Sequence, residues 1–172
     1  TSLGAVWSST SPDFGINGVV DRFGQIEPKV LFSVNAYEYN GKTHDCLAKV
    51  SQIVEQIDSI DHTVIIEFCD HAGELPVGAK TYAEWLAGSD PEQAIEFTPV
   101  PFDHPLYILY SSGTTGKPKC IVHRTGGILL QHVKELMLHA NVAEGKRLFY
   151  FTTCGWMMWN WLVSGLASGA IL

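Results

Sequence analysis

Apolar positions recur along the chain with two different periods, and the switches between them divide it into helices and strands. Between Gly15 and Ile26, the residues Val19, Val20, Phe23 and Ile26 fall at helical spacing, and Pro28 closes the run. Val30-Leu31-Phe32-Ser33-Val34 then predicts a strand, followed by a turn at Asn40-Gly41. Cys46 to Ile57 predicts an amphipathic helix with Leu47, Val50, Val54 and Ile57 on one face. Val64 to Phe68, short and β-branched, reads as a buried strand. Periodicity fades from Asp70 to Pro105, where Pro76, Pro91, Pro99, Pro101 and Pro105 predict loop broken by one short helix at Tyr82 to Leu86.

Order returns at Tyr107 to Tyr110, a strand, and at Ile121-Val122-His123. Thr125 stands where a helix cap belongs, ahead of a face made by Leu129, Val133, Leu136, Met137 and Ala140. Leu148 to Phe151 predicts another strand and Trp156 onward another helix. Repeated βα units of this kind imply an α/β fold with a largely parallel sheet. Internal repeats and low-complexity tracts are absent.

Leu148 to Leu172 carries no charged residue and is long enough to cross a bilayer. Thr152 to Gly155 interrupt it, however, and Asn160 would sit near the bilayer centre. A buried strand–loop–helix explains the same residues, so no membrane span is expected.

With 172 residues and 46% hydrophobic content the chain can bury a core. Its formal charge of −7 argues against nucleic acid or an anionic membrane as a partner. Cys46, Cys69, Cys120 and Cys154 form no CxxC pair, which predicts reduced thiols in a cytoplasmic protein and no metal site. The chain opens at Thr1-Ser2-Leu3-Gly4 without Met or a signal pattern and stops at Gly169-Ala170-Ile171-Leu172. Both ends are expected to fall inside a larger fold, with the remainder of the same polypeptide as a partner.

The strongest chemical signal is Tyr110-Ser111-Ser112-Gly113-Thr114-Thr115-Gly116-Lys117-Pro118-Lys119. It follows an apolar strand, at the sheet edge where α/β folds bind ligands. Gly113 and Gly116 permit positive φ and let backbone N–H groups approach phosphate oxygens. Ser112, Thr114 and Thr115 add hydroxyls, while Lys117 and Lys119 add charge. The P-loop pattern is not met, because Pro118 occupies the Ser/Thr position after Gly-Lys and Ser111 the place of the first glycine. A plain hairpin turn is the competing reading, but a turn requires one glycine rather than this whole set.

S-G-T-T-G-x-P-K with His123 four residues past the lysine resembles the phosphate loop of the adenylate-forming enzymes. That superfamily holds acyl-CoA synthetases, luciferases and peptide-synthetase adenylation domains. Three more runs resemble its acetoacetate-activating acyl-CoA synthetases: Ser8 to Gly15, Asp21 to Lys29, and Gly155-Trp156-Met157-Met158-Trp159-Asn160-Trp161. The resemblance spans nearly the whole chain, most weakly from Asp70 to Phe102.

It implies that residues 1–172 form part of the large N-terminal AMP-binding domain, with the C-terminal domain absent. It also implies ATP-dependent activation of acetoacetate to an acyl-adenylate, then transfer to coenzyme A, with Mg2+ arriving on ATP. Ser112, Gly113, Thr114, Thr115, Gly116, Lys117 and Lys119 would bind the ATP phosphates. Lys42 would contact coenzyme A, and Trp156, Met157 and Met158 would line the acyl pocket, while Trp159 and Trp161 belong to the core. The family's ribose-binding Asp, adenylation-motif Glu and catalytic Lys lie further downstream, so no catalytic residue is expected here and the chain alone is expected to be inactive. Cys120 departs from the family's usual Gly. Two alternatives stay open: a non-catalytic nucleotide-binding or interaction module, and a synthetase for another short-chain carboxylate. Asp13-Phe14-Gly15 spells a kinase metal motif but lacks the kinase elements that should precede it.

Overall fold

A computed structural model describes residues 1–111 and 116–172. Among them, eight strands and five α-helices follow one another. In chain order they are β1 (Trp7–Ser8), α1 (Ile16–Phe23), β2 (Val30–Val34), β3 (Ala36–Tyr39), β4 (Lys42–Asp45), α2 (Leu47–Val54) and β5 (His62–Ile66). Then come β6 (Lys80–Thr81), α3 (Tyr82–Leu86), β7 (Pro105–Tyr110), β8 (Cys120–Arg124), α4 (Thr125–Lys134) and α5 (Met157–Val163). They gather into two compact units, one of residues 1–11, 94–111 and 119–172, the other of residues 12–93 and 116–118. No described helix is long and apolar enough to cross a membrane.

In the second unit β2, β5 and β6 form a parallel sheet in that order. Val64 and Ile65 are fully buried in β5, and α2 lays Leu47, Val50 and Ile53 into the core. The apolar face of α2 therefore runs through Ile53 rather than the expected Val54, while Ile57 is buried as expected. Asn40 and Gly41 both take positive φ, 51° and 70°, as a two-residue turn between right-twisted strands requires. The sequence marked that turn but not the antiparallel β3–β4 pair it joins, whose residues are mostly polar. Helix α3 forms over the expected residues, because Thr81 and Glu84 build a reciprocal capping box.

The strand expected at Val64 to Phe68 runs instead from His62 to Ile66, and Phe68 is 68% exposed. Asn35 is the physical reason. Its buried Oδ1 accepts from the N–H groups of Ala36, Phe68 and Cys69, and its Nδ2 donates to the carbonyls of Cys69 and His71. Those bonds draw the backbone after Ile66 out of the sheet.

In the first unit β1 and β7 are parallel, whereas β8 returns antiparallel to β7. The sheets are thus parallel except at β8 and the β3–β4 hairpin. Helix α4 continues into a π-helical turn at Glu135–His139, where Ala140 N–H bonds to the Glu135 carbonyl. The wider turn breaks the expected 3.6-residue face. His132 and Leu136 are buried, while Leu129 and Met137 are exposed. Thr125 does not cap the helix; its hydroxyl donates to the His104 carbonyl, and Arg124 holds the cap position. Leu136, Val142 and Ala170 form a small core, with Leu148 and Trp161 packed against it.

The strand expected at Leu148 to Phe151 does not form. One parallel bridge joins Arg147 to Ile171, and the described backbone offers no further partner, leaving Phe149 84% and Phe151 86% exposed.

Replacing Asn35 with Ala should destabilise the second unit by about 2–4 kcal/mol, since the buried N–H of Ala36 and the half-buried N–H of Cys69 lose their acceptor. Urea unfolding measures this, and Asn35→Asp should retain part of the stability because it keeps the accepting oxygen.

Candidate functional site

The loop after β7 is shut at its base. Ser111 N–H donates to the Lys119 carbonyl at 3.0 Å, and Lys119 N–H donates to Ser111 Oγ at 3.0 Å. Just inside the ladder, Tyr110 pairs with Cys120. The loop joins two antiparallel neighbours, and its span from Ser111 to Lys119 exceeds the roughly two to five residues of common hairpin loops.

Ser112, Gly113, Thr114 and Thr115, expected to bind phosphate, lie outside the described residues. Gly116 has φ +89°, a conformation that a side chain would strain. Lys117 Nζ lies 3.5 Å from Asp21 Oδ1 in an exposed ion pair. The Pro118 carbonyl accepts from Gln25 Nε2 at 2.8 Å. Lys119 is exposed, and its backbone closes the loop.

Cys120 is half-buried as the first residue of β8, a place that accommodates a side chain where the family usually has none. His123, on the same strand, lies with its ring centroid 5.0 Å from that of Tyr107. Burial lowers the pKa of His123 and raises that of Tyr107 to about 12. Tyr107 Oη is buried without a hydrogen-bond partner among the described residues.

The second candidate segment begins α5. Trp156 occupies its cap position and is 61% exposed; Met157 is exposed and Met158 half-buried. Trp159 is half-buried, and Trp161 packs against the core. The three expected pocket residues thus sit together at one helix start.

What holds them there was not marked from sequence. Ser9 Oγ donates to the Cys154 carbonyl at 2.5 Å. A Cβ on Gly155 would meet the Ser11 backbone nitrogen at 2.8 Å, so only glycine lets the two segments approach. The run Ser8 to Gly15 carried a family resemblance, and its serines were the available signal.

Farther along, Ser164 Oγ donates to the Asn160 carbonyl at 2.9 Å. Its one proton is thereby used, so it accepts from His132 Nδ1–H at 2.8 Å. That assigns neutral His132 its tautomer and ties α4 to the end of α5. Burial, with a smaller contribution from His123, lowers the pKa of His132 against an opposing pull from Glu135.

Lys42, the expected coenzyme A contact, opens β4 on a separate hairpin and is exposed beside the Asn40-Gly41 turn. Behind it Tyr37 and His44 stack at 4.9 Å. All four cysteines are free.

The family model described as AMP-binding enzyme matches residues 1–172. Acetoacetyl-CoA synthetase of Gallus gallus is 50% identical over 175 residues, covering 98% of this chain and 26% of its own length. Acetoacetyl-coenzyme A synthetase of Rhizobium meliloti is 54% identical over 174 residues, with 99% and 26% covered. Malonamoyl-CoA synthetase vrtB of Penicillium aethiopicum is 49% identical over 176 residues, with 98% and 24% covered. Among solved structures, acetoacetyl-CoA synthetase from Streptomyces lividans superposes with a TM-score of 0.90 at 46% identity, covering 98% of this chain and 25% of that one. The chain therefore spans about a quarter of the length of these relatives.

Buried His132 and half-buried His123 predict a pH dependence. His132 and His123 have lowered pKa values, so the folded chain binds fewer protons than the unfolded one below about pH 6.5. Their stabilisation is complete above that pH and erodes as pH falls beneath it. Urea midpoints should drop as pH is lowered through this region, and His132→Gln should flatten the decline.

Proposed function

Because the chain belongs to the AMP-binding enzyme family, we propose that it supplies the phosphate-gripping loop and one wall of the acid pocket to an ATP-dependent acyl-CoA ligase. The preferred acid is acetoacetate. The chain forms part of the enzyme's large N-terminal domain, and Mg2+ arrives on the nucleotide. The loop closed by Ser111 and Lys119, with Gly116 in a left-handed turn, carries the reading.

In the reaction a carboxylate oxygen of the acid attacks the α-phosphorus of ATP, and the bond to pyrophosphate breaks. The coenzyme A sulfur then attacks the acyl carbon, and AMP leaves. Negative charge gathers on phosphate oxygens in the first step. Hydrogen-bond donors and positive charge aimed at those oxygens stabilise it, which is how such sites do most of their catalytic work. Thr114, Thr115 and Lys119 are assigned that role, together with Ser112, Gly113, Gly116 and Lys117. Lys42 is assigned to coenzyme A, where an exposed lysine on a rigid hairpin suits an anionic ligand. The four free thiols favour a cytoplasmic setting.

A second reading concerns the acid. The relatives named for acetoacetyl-CoA and malonamoyl-CoA match this chain almost equally, at 50% and 49% identity. Both acyl groups carry a second carbonyl at the β position, two carbons from the carboxyl carbon. The substrate class is thus a short acid with a β-carbonyl, and acetoacetate is its simplest member. Trp156, Met157 and Met158 are assigned to that pocket, and methionines suit it because they adapt to irregular cavities.

Two outcomes are expected in a full-length enzyme carrying this segment. Lys119→Met, or Ala at Thr114 and Thr115, should slow ATP–pyrophosphate exchange far more than thiolysis, each lost contact costing about 2–4 kcal/mol of transition-state stabilisation. Variants that exchange pyrophosphate normally and fail only on adding coenzyme A would refute the assignment. Converting Met157 to Val and Met158 to Thr should shift kcat/KM away from acetoacetate at least severalfold, because a pocket change of a methylene or two is worth roughly 1–3 kcal/mol. An unchanged ratio in a folded variant would return both methionines to the core.

A further inference from the structure

Helix α1 has no role in the reaction as described, yet it touches the phosphate loop at two points. Asp21 Oδ1 stands 3.5 Å from Lys117 Nζ. Gln25, one residue past the helix cap, uses its amide nitrogen twice, donating to the Asp21 carbonyl at 2.5 Å and to the Pro118 carbonyl at 2.8 Å. An amide nitrogen has two hydrogens, so both bonds are available at once. Proline has no N–H, which makes that carbonyl the one backbone hydrogen-bonding group Pro118 offers.

We propose that α1 latches the exit of the phosphate loop through two positioning residues of opposite effect: Gln25 clamps Pro118 in the ATP-binding geometry, while Asp21 holds Lys117 away from the nucleotide until phosphate displaces it. The proposal rests on the assignment of this loop to ATP.

The two contacts differ in kind. The Gln25 bond is neutral, directed at backbone and indifferent to the charge of what binds. It lowers the cost of ordering the loop exit before ATP arrives, and removing it weakens binding. The Asp21 contact is an ion pair whose side chains are 72% and 40% exposed. Such a pair is weak and screened by salt. A polyphosphate carries more negative charge than one carboxylate and takes the lysine from it at little cost. Asp21 is then a built-in competitor, and neutralising it strengthens binding.

The test uses the full-length enzyme, with direct ATP binding and the ATP KM of pyrophosphate exchange as readouts. Asp21→Asn should tighten ATP about two- to fivefold at low salt, the span of a surface ion pair. That gain should shrink at high salt and vanish in a Lys117→Met background. Gln25→Met, similar in shape but without a donor, should weaken ATP by a comparable factor. The acid KM and the thiolysis rate should stay unchanged in both.

Equal effects of Asp21→Asn with and without Lys117 would overturn the competitor role. Unchanged ATP binding in Gln25→Met would overturn the clamp, and weakening by both variants would reduce α1 to a structural support. If the parent enzyme binds ATP but exchanges no pyrophosphate, the acyl-CoA ligase reading falls while the binding comparison still decides the latch. A parent that binds no ATP removes both.

Discussion

Closure of the β7–β8 ladder at Ser111 and Lys119 is the constraint on which the site depends. Bringing the two ends of a loop together costs entropy that grows with its length. Two short bonds at its neck hold the ends, and the Tyr110–Cys120 pair behind them continues the restraint into the sheet. The same strand β7 takes β1 on its other side, where Ser8 Oγ donates to the Ile108 carbonyl and lies 2.9 Å from the Tyr110 hydroxyl. Beyond β1, Ser9 to Ser11 meet Cys154 and Gly155. One strand thus governs both the loop's neck and the segment that starts α5.

Charge acts here at short range. A chain of net charge −7 would repel a nucleotide at a distance, yet salt screens that repulsion within about 10 Å. The proposed phosphate contacts are local: two lysines of one loop, one of them already beside a carboxylate. Net charge of this sign disfavours partners that bind through extended negative charge, such as nucleic acid, and leaves room for a ligand gripped at one loop.

The elements legible in the sequence were those decided by local chemistry. Val30 to Val34 is β-branched and bounded by turn residues, and Tyr82 to Leu86 carries its own capping box; both stand where periodicity placed them. The misplaced elements were decided from afar. Asn35, distant in sequence, ends β5 at Ile66, and tertiary packing buries His132 and Leu136 of the α4 region while leaving Leu129 exposed. Leu148 to Phe151 has strand composition, but among the described residues it finds no ladder. The site divides the same way. Gly116 and the lysines announced themselves by type and spacing, whereas Gln25, Ser9 and His132 are ordinary residues that matter through what they touch.

Gly155 sets a limit on how such a pocket can change over generations. A methyl group there would press within 2.8 Å of the Ser11 backbone nitrogen, and backbone does not yield as a flexible side chain does. Met157 and Met158, by contrast, stand at the open start of α5, where one residue can replace another without moving a neighbouring strand. Under the proposed assignment of these methionines to the acid pocket, the pocket can be altered at positions 157 and 158, whereas any side chain at position 155 meets backbone. A library built to alter acid preference gains by randomising positions 157 and 158 and keeping glycine at 155.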